Sequence, residues 1–171
     1  PMSRDWVVAT LSEPAACERF LIVRQMAAVE GLILSDTLTS ILSRRLKGNG
    51  RTIQGALKRL RLSHATWVGD HRTLEACGVL GPFFEEGSAW DLRDHIVETA
   101  ERAESSCCKQ GLIAHTMLRV ALLPEAEVAG YLQIEQSEAY GRALRFGKQR
   151  GGCELTARET EHFVREVVRG L

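Results

Sequence analysis

Lys47-Gly48-Asn49-Gly50-Arg51-Thr52-Ile53-Gln54-Gly55-Ala56-Leu57-Lys58-Arg59-Leu60 reads as a helix end, a glycine break and the start of a new amphipathic helix. Asn49 or Gly50 suits the cap, because both accept backbone conformations outside the helical basin. Behind the cap, Ile53, Ala56, Leu57 and Leu60 recur at the spacing of one helix face. The opposite face is basic: between Arg44 and Arg61 there are seven Lys/Arg and no Asp or Glu. Most charge runs are simply solvated faces. The sharper reading is that the Gly-Asn-Gly turn fixes Arg51 at a helix start and aims it at an anion.

Working outward, the pattern stays helical. Trp6 to Leu11 is a short β-prone run. Ser12 is placed to cap a helix with Pro14 in its first turn. That helix runs to about Glu30 and stops at Gly31, with Ala16, Phe20, Val23 and Ala27 on one face. Ser35 or Asp36 caps a second, with Leu38, Ile41, Leu42 and Leu46 inward and Gly48 at its end. Trp67 to Asp70 reads as a turn, and Thr73 as the cap of a short helix through Val79. Gly81-Pro82 and Gly87-Ser88 bracket Phe83 and Phe84 and mark the best boundary between two halves. Trp67 and Trp90 flank this section and are expected to pack between the halves. Ser88 or Asp91 opens the next helix, with Leu92, Ile96, Thr99 and Ala103 on one face. Another spans about Cys108 to Ala121, with Leu112, Ile113, Met117 and Val120 apolar. Thr156-Ala157-Arg158-Glu159 is a capping box that starts a last helix striped by Phe163, Val164, Val167 and Leu171.

The bulk properties bound the function. The 171 residues suit one domain or two small ones, and 44% hydrophobic with 26% charged residues is ordinary for a globular chain. A net charge of zero argues against a generic polyanion binder and leaves a local basic patch open. No apolar run approaches membrane-spanning length, and no membrane partner is expected. Cys17, Cys77, Cys107, Cys108 and Cys153 show no zinc-ligand spacing. They read as reduced thiols in a cytoplasmic protein. His64, His71, His95, His115 and His162 are scattered, and no nucleophile–base set assembles around them. Asp91, Asp94 and Glu98 form an acidic face that is more often solvated than metal-binding. No independent catalytic activity, cofactor or metal is expected.

Three segments in order resemble the end of the AAA+ module of the bacterial replication initiator DnaA family. Trp6-Val7-Val8 with Ser12-Glu13-Pro14 and Cys17-Glu18-Arg19 looks like the last core strand entering the helical lid. Glu30-Gly31-Leu32-Ile33-Leu34-Ser35-Asp36 looks like the link into the lid's second helix. Gly48 through Leu60 looks like the family's sensor-two motif, with Asn, Arg, Gly-Ala-Leu and Leu at matching spacing. The resemblance covers roughly the first 65 residues. It implies that Arg51 touches nucleotide phosphates, where a guanidinium gives bidentate, permanently charged contacts. The chain has no Gly-x-x-x-x-Gly-Lys-Ser/Thr loop, so nucleotide binding through Arg51 is expected only if an ATPase core is supplied from elsewhere.

In the same family a helical DNA-binding domain follows the lid. Leu123 to Ala139 resembles a helix-turn-helix, with Val128, Ala129 and Leu132 buried in its first helix and Ile134 plugging the turn. Gln133 stands where Gly is usual. Gln136, Ser137, Tyr140 and Gly141 would face outward, and Ala139 and Ala143 inward. Glu135 and Glu138 repel phosphate, although Glu can accept from cytosine. Arg142, Arg145, Lys148 and Arg150 follow as phosphate clamps.

The expected fold is therefore all-α: an AAA+-lid-like unit over residues 1–85 and a helix-turn-helix-like bundle over 86–171. The expected function is DNA binding in DNA replication or its regulation, by a DnaA-like protein without its own ATPase core. Arg44, Arg45, Arg51, Lys58, Arg59 and Arg61 would contact phosphates, and Gln136, Ser137 and Tyr140 would face bases. Alternatives are a module that docks on an AAA+ partner or self-associates, and an accessory domain of a mobile-element protein.

Overall fold

A computed structural model describes residues 14–46, 48–84, 91–103, 109–148 and 157–171, with side chains left undescribed at 147–148 and 157–159. The fold is all-α: nine α-helices and one two-stranded sheet among the described residues. Trp6 to Leu11, Ser12, Trp90, Arg150, the Thr156 capping residue and three of the cysteines lie outside them.

Helix α1 (Ala16–Val29) ends at Gly31, whose φ of 70° is the left-handed conformation that glycine adopts without strain. Its inward face is narrower than its spacing predicts. Val23 and Ala27 are buried, Phe20 is half-buried and Ala16 is exposed. Strand β1 (Ile33–Leu34) leads to α2 (Asp36–Arg45), capped by Ser35, whose hydroxyl accepts from the Leu38 amide at 3.1 Å. Leu38, Ile41, Leu42 and Leu46 are all buried. Each such side chain contributes about 1.5–3 kcal/mol relative to exposure.

After Gly48 (φ 98°), Asn49 caps α3 (Gly50–Ser63), its Oδ1 accepting from the amides of Arg51 at 3.0 Å and Thr52 at 3.4 Å. Ile53, Ala56, Leu57 and Leu60 are buried, as the spacing predicts. Trp67, expected in a turn, instead lies in strand β2 (Thr66–Trp67), which pairs in parallel with β1 in the register Ile33 with Thr66 and Leu34 with Trp67. The indole is fully buried and donates to the His64 carbonyl at 2.9 Å. It therefore packs inside the first core and not between the halves.

Helix α4 (Asp70–Val79) starts after Gly69 (φ 93°), three residues before the predicted Thr73 cap. Thr73 is buried inside the helix, its hydroxyl donating back to the Gly69 carbonyl at 3.0 Å. This helix serves two cores. Ala76 and Leu80 join the core built by α1, α2 and α3, while Leu74 and Cys77 join the core of the second half. A 3-10 turn (Gly81–Phe83) follows, and Phe84 bridges to the Leu46 backbone while packing against both cores.

The second half begins with α5 (Leu92–Arg102), capped by Asp91, which accepts from the Arg93 amide at 2.8 Å. Leu92, Ile96, Thr99 and Ala100 are buried, so Ala100 takes the inward place predicted for Ala103. Helix α6 (Lys109–His115) runs into a π-helical turn (Thr116–Val120). Its widened ladder is visible in the Ala121 amide donating to the Thr116 carbonyl, five residues back, at 2.8 Å. Helices α7 (Glu125–Leu132), α8 (Gln136–Lys148) and α9 (Ala157–Gly170) complete the chain. Phe163, Val164, Val167, Val168 and Leu171 bury the inner stripe of α9.

Candidate nucleic-acid interface

The basic stretch folds as α2, a glycine turn and α3, and the fold sorts its cations. Burying Ile53, Ala56, Leu57 and Leu60 leaves Arg51, Lys58 and Arg59 exposed on the other side of α3. None of these three makes a side-chain hydrogen bond or ion pair among the described residues. Arg61 differs, pairing at 3.5 Å with the largely buried carboxylate of Glu30, which also accepts from Gln54 Nε2 at 3.1 Å. Arg44 is exposed, with its Nε donating to the Ser40 carbonyl at 3.4 Å. Arg45 is half-buried and has interactions within the protein. Burial, and next the neighbouring Arg44, hold its guanidinium below the ordinary arginine value.

Charge is unevenly divided along the chain. Residues 1–85 carry eleven Lys/Arg against eight Asp/Glu, a net +3. Residues 86–171 carry eleven against fourteen, a net −3. Only locally can such a chain attract a polyanion.

In the second half, α7, a three-residue turn and α8 follow one another as the helix-turn-helix reading requires. Gln133 occupies the left-handed region (φ 54°, ψ 42°), the conformation for which Gly is the usual choice. Its amide donates to the Gly130 carbonyl at 3.3 Å, and the Ile134 amide to the Ala129 carbonyl at 3.1 Å, which closes the end of α7. Val128 and Ala129 are buried, and Leu132 and Ile134 are half-buried against the core. Ala139 and Ala143 face inward, and Gln136, Ser137 and Tyr140 face outward.

The clamp residues of α8 are not equivalent. Arg142 is bound to Glu138 Oε1 at 2.6 Å through Nη2, while its Nη1 donates to Gln110 on α6. Arg145 is exposed, its Nε donating to the Gly141 carbonyl at 3.2 Å. For Lys148 only the backbone is described. Arg119, which the sequence reading did not select, lies in the π turn with its guanidinium carbon 4.9 Å from the centre of the Tyr140 ring. No spacing rule relates these two residues, so the sequence carries no signal for the pair.

The remaining polar groups are structural ties. Asp91 is paired with Arg93, whose side-chain hydrogen bond holds the carboxyl below the usual carboxylate range. Tyr131 donates to Asp94, and burial followed by that carboxylate pushes the phenol up to about 12. His64 meets Glu75 at 3.2 Å beside Arg72, His95 Nε2 lies 2.9 Å from the Val167 carbonyl, and His115 Nδ1 lies 3.4 Å from the Ala143 carbonyl. Cys77 is fully buried, which pushes its thiol up to about 12 and keeps it protonated, whereas Cys17 is exposed. Among the described residues no group of three His, Cys, Asp or Glu is placed to hold a metal, and no helix is long and apolar enough to cross a membrane. Set against known proteins, the chain matches no protein-family model, no curated protein and no solved structure.

Proposed function

We propose that the chain binds duplex DNA, as a protein of the replication-initiator type acting in DNA replication or its regulation without an ATPase core of its own. Arg51, Lys58 and Arg59 on α3, and Arg44 in the last turn of α2, contact phosphates. Gln136, Ser137 and Tyr140 on α8 face bases. The observation that carries this reading is the exposed face of α3, where three cations stand without an ion-pair partner among the described residues, in a half of net +3. Unpaired cations bind phosphate without first breaking an internal ion pair.

A second reading is a module that docks on an AAA+ protein. It is favoured by the exposed apolar side chains of Val29, Ile33 and Leu62, and by Glu135 and Glu138 at the start of α8. The two readings separate by pull-down on an AAA+ partner alongside fluorescence anisotropy with a labelled duplex. The DNA reading expects duplex binding that Arg51→Ala weakens. Capture of the partner that is lost in Arg51→Ala and indifferent to DNA, with no duplex binding at low salt, would establish the second reading instead.

A further inference from the structure

We infer that Arg119, outside both basic segments, is the phosphate contact that serves the outward face of α8. This rests on the DNA-binding reading above.

Three observations carry it. First, the first two turns of α8 hold no usable cation of their own. Glu138 is the only charged side chain there besides Arg142, and Arg142 is held by Glu138 and Gln110. A helix presenting Gln136, Ser137 and Tyr140 to base edges still needs phosphate contacts beside them to set its register. Second, Arg119 is exposed, and its guanidinium stacks on the ring of Tyr140 without any ion pair or hydrogen bond among the described residues. Stacking leaves all five N–H donors available, and a planar fork matches phosphate oxygens in bidentate fashion. Third, Arg119 lies within the π turn, where the wider backbone ladder sets the direction of its side chain. Tyr140 thereby gains a second role, as the platform that orders a long, otherwise mobile cation.

The test uses the full chain, a fluorescein-labelled duplex and anisotropy over a salt series, with folding of each variant checked by circular dichroism. Arg119→Ala should weaken binding several-fold and reduce the magnitude of the slope of log K against log salt by about 0.9, the value of one phosphate contact. Arg119→Lys should keep the slope and lose part of the affinity, because the charge remains and the planar stack does not. The paired substitution Glu166→Gln with Arg169→Gln, an ion pair on α9, should leave the slope unchanged. If Arg119→Ala binds with wild-type affinity and slope while Arg51→Ala is impaired, the inference about Arg119 is wrong and DNA binding stands. If the wild-type chain binds no duplex at low salt, both fall.

Discussion

The two halves hold equal numbers of cations and use them differently. In the second half, Arg93 pairs with Asp91, Arg142 with Glu138, Arg169 with Glu166, and Arg165 reaches across to Asp70 of α4. In the first half, Arg61 and Arg72 are paired with Glu30 and Glu75, but Arg51, Lys58 and Arg59 are left open to solvent on one helix. Exposed ion pairs contribute only about 0–1 kcal/mol each, so the pairing of the second half is no large source of stability. What it does is cancel the field. A formal net charge of zero therefore conceals one helix face able to attract phosphate and a second half in which four cations are already held by carboxylates.

The largest effect is expected where the halves meet. A Cβ added at Gly78 would sit 1.8 Å from the Ala121 carbonyl oxygen and 2.8 Å from its carbon. Both are backbone atoms of the segment closing the π turn, so neither can rotate aside. Gly to Ala within a helix ordinarily gains up to ~1 kcal/mol. Here steric overlap dominates, and Gly78→Ala should cost about 3 kcal/mol in urea unfolding, at the upper end for overpacked sites. Because α4 contributes to both cores, near-ultraviolet signals from Trp67 and from the second-half tyrosines should shift together. Loss confined to one half would show that α4 does not couple them.

A smaller effect sharpens the comparison from the first half alone. Asn49→Ala removes the acceptor for two amides at the start of α3 and should cost about 1 kcal/mol. It should also loosen Arg51, so duplex affinity should fall more than stability does. Equal affinity in this variant would mean that the cap does not position the arginine.

The smallest effect belongs to the second half and depends on pH. Burial, aided by Arg119 and His71 and opposed by the Ala143 carbonyl, holds His115 below its ordinary value. The folded state thus binds this proton less readily than the unfolded chain. The associated stability is fully present above about pH 6.5 and declines as pH falls through the lowered folded value. Thermal melts from pH 7.5 downward should show this loss, and His115→Gln should flatten it. An unchanged profile in the variant would assign the acid sensitivity elsewhere.

Much of the fold was legible because local chemistry agrees with the tertiary solution. Ser35, Asn49 and Asp91 cap the helices they precede, Gly31 ends one, and the inward residues of α2 and α3 follow helical spacing. The misses are non-local. Trp67 becomes a strand residue only through pairing with Leu34, far off in sequence, and a two-residue strand leaves no periodicity to read. Gly69 starts α4 by its positive φ and offers no side chain as a signal, so the sequence points to Thr73 as the cap. The π turn is silent because Leu112, Ile113, Met117 and Val120 also suit an ordinary helix. In the candidate site, the exposure of Gln136, Ser137 and Tyr140 followed from spacing. That Arg142 is tied to Gln110, and that Arg119 meets Tyr140, required the packing of α6 against α8.

The central claim is that the unpaired cations of α3 take phosphate. Duplex affinity measured across a salt series, for the wild type and for Arg51→Ala/Lys58→Ala/Arg59→Ala, addresses it directly. The variant should fold normally, because all three side chains are exposed and unpaired. Its slope of log K against log salt should be smaller in magnitude by about 2.7, three phosphate contacts at about 0.9 each. A slope equal to that of the wild type would contradict the account.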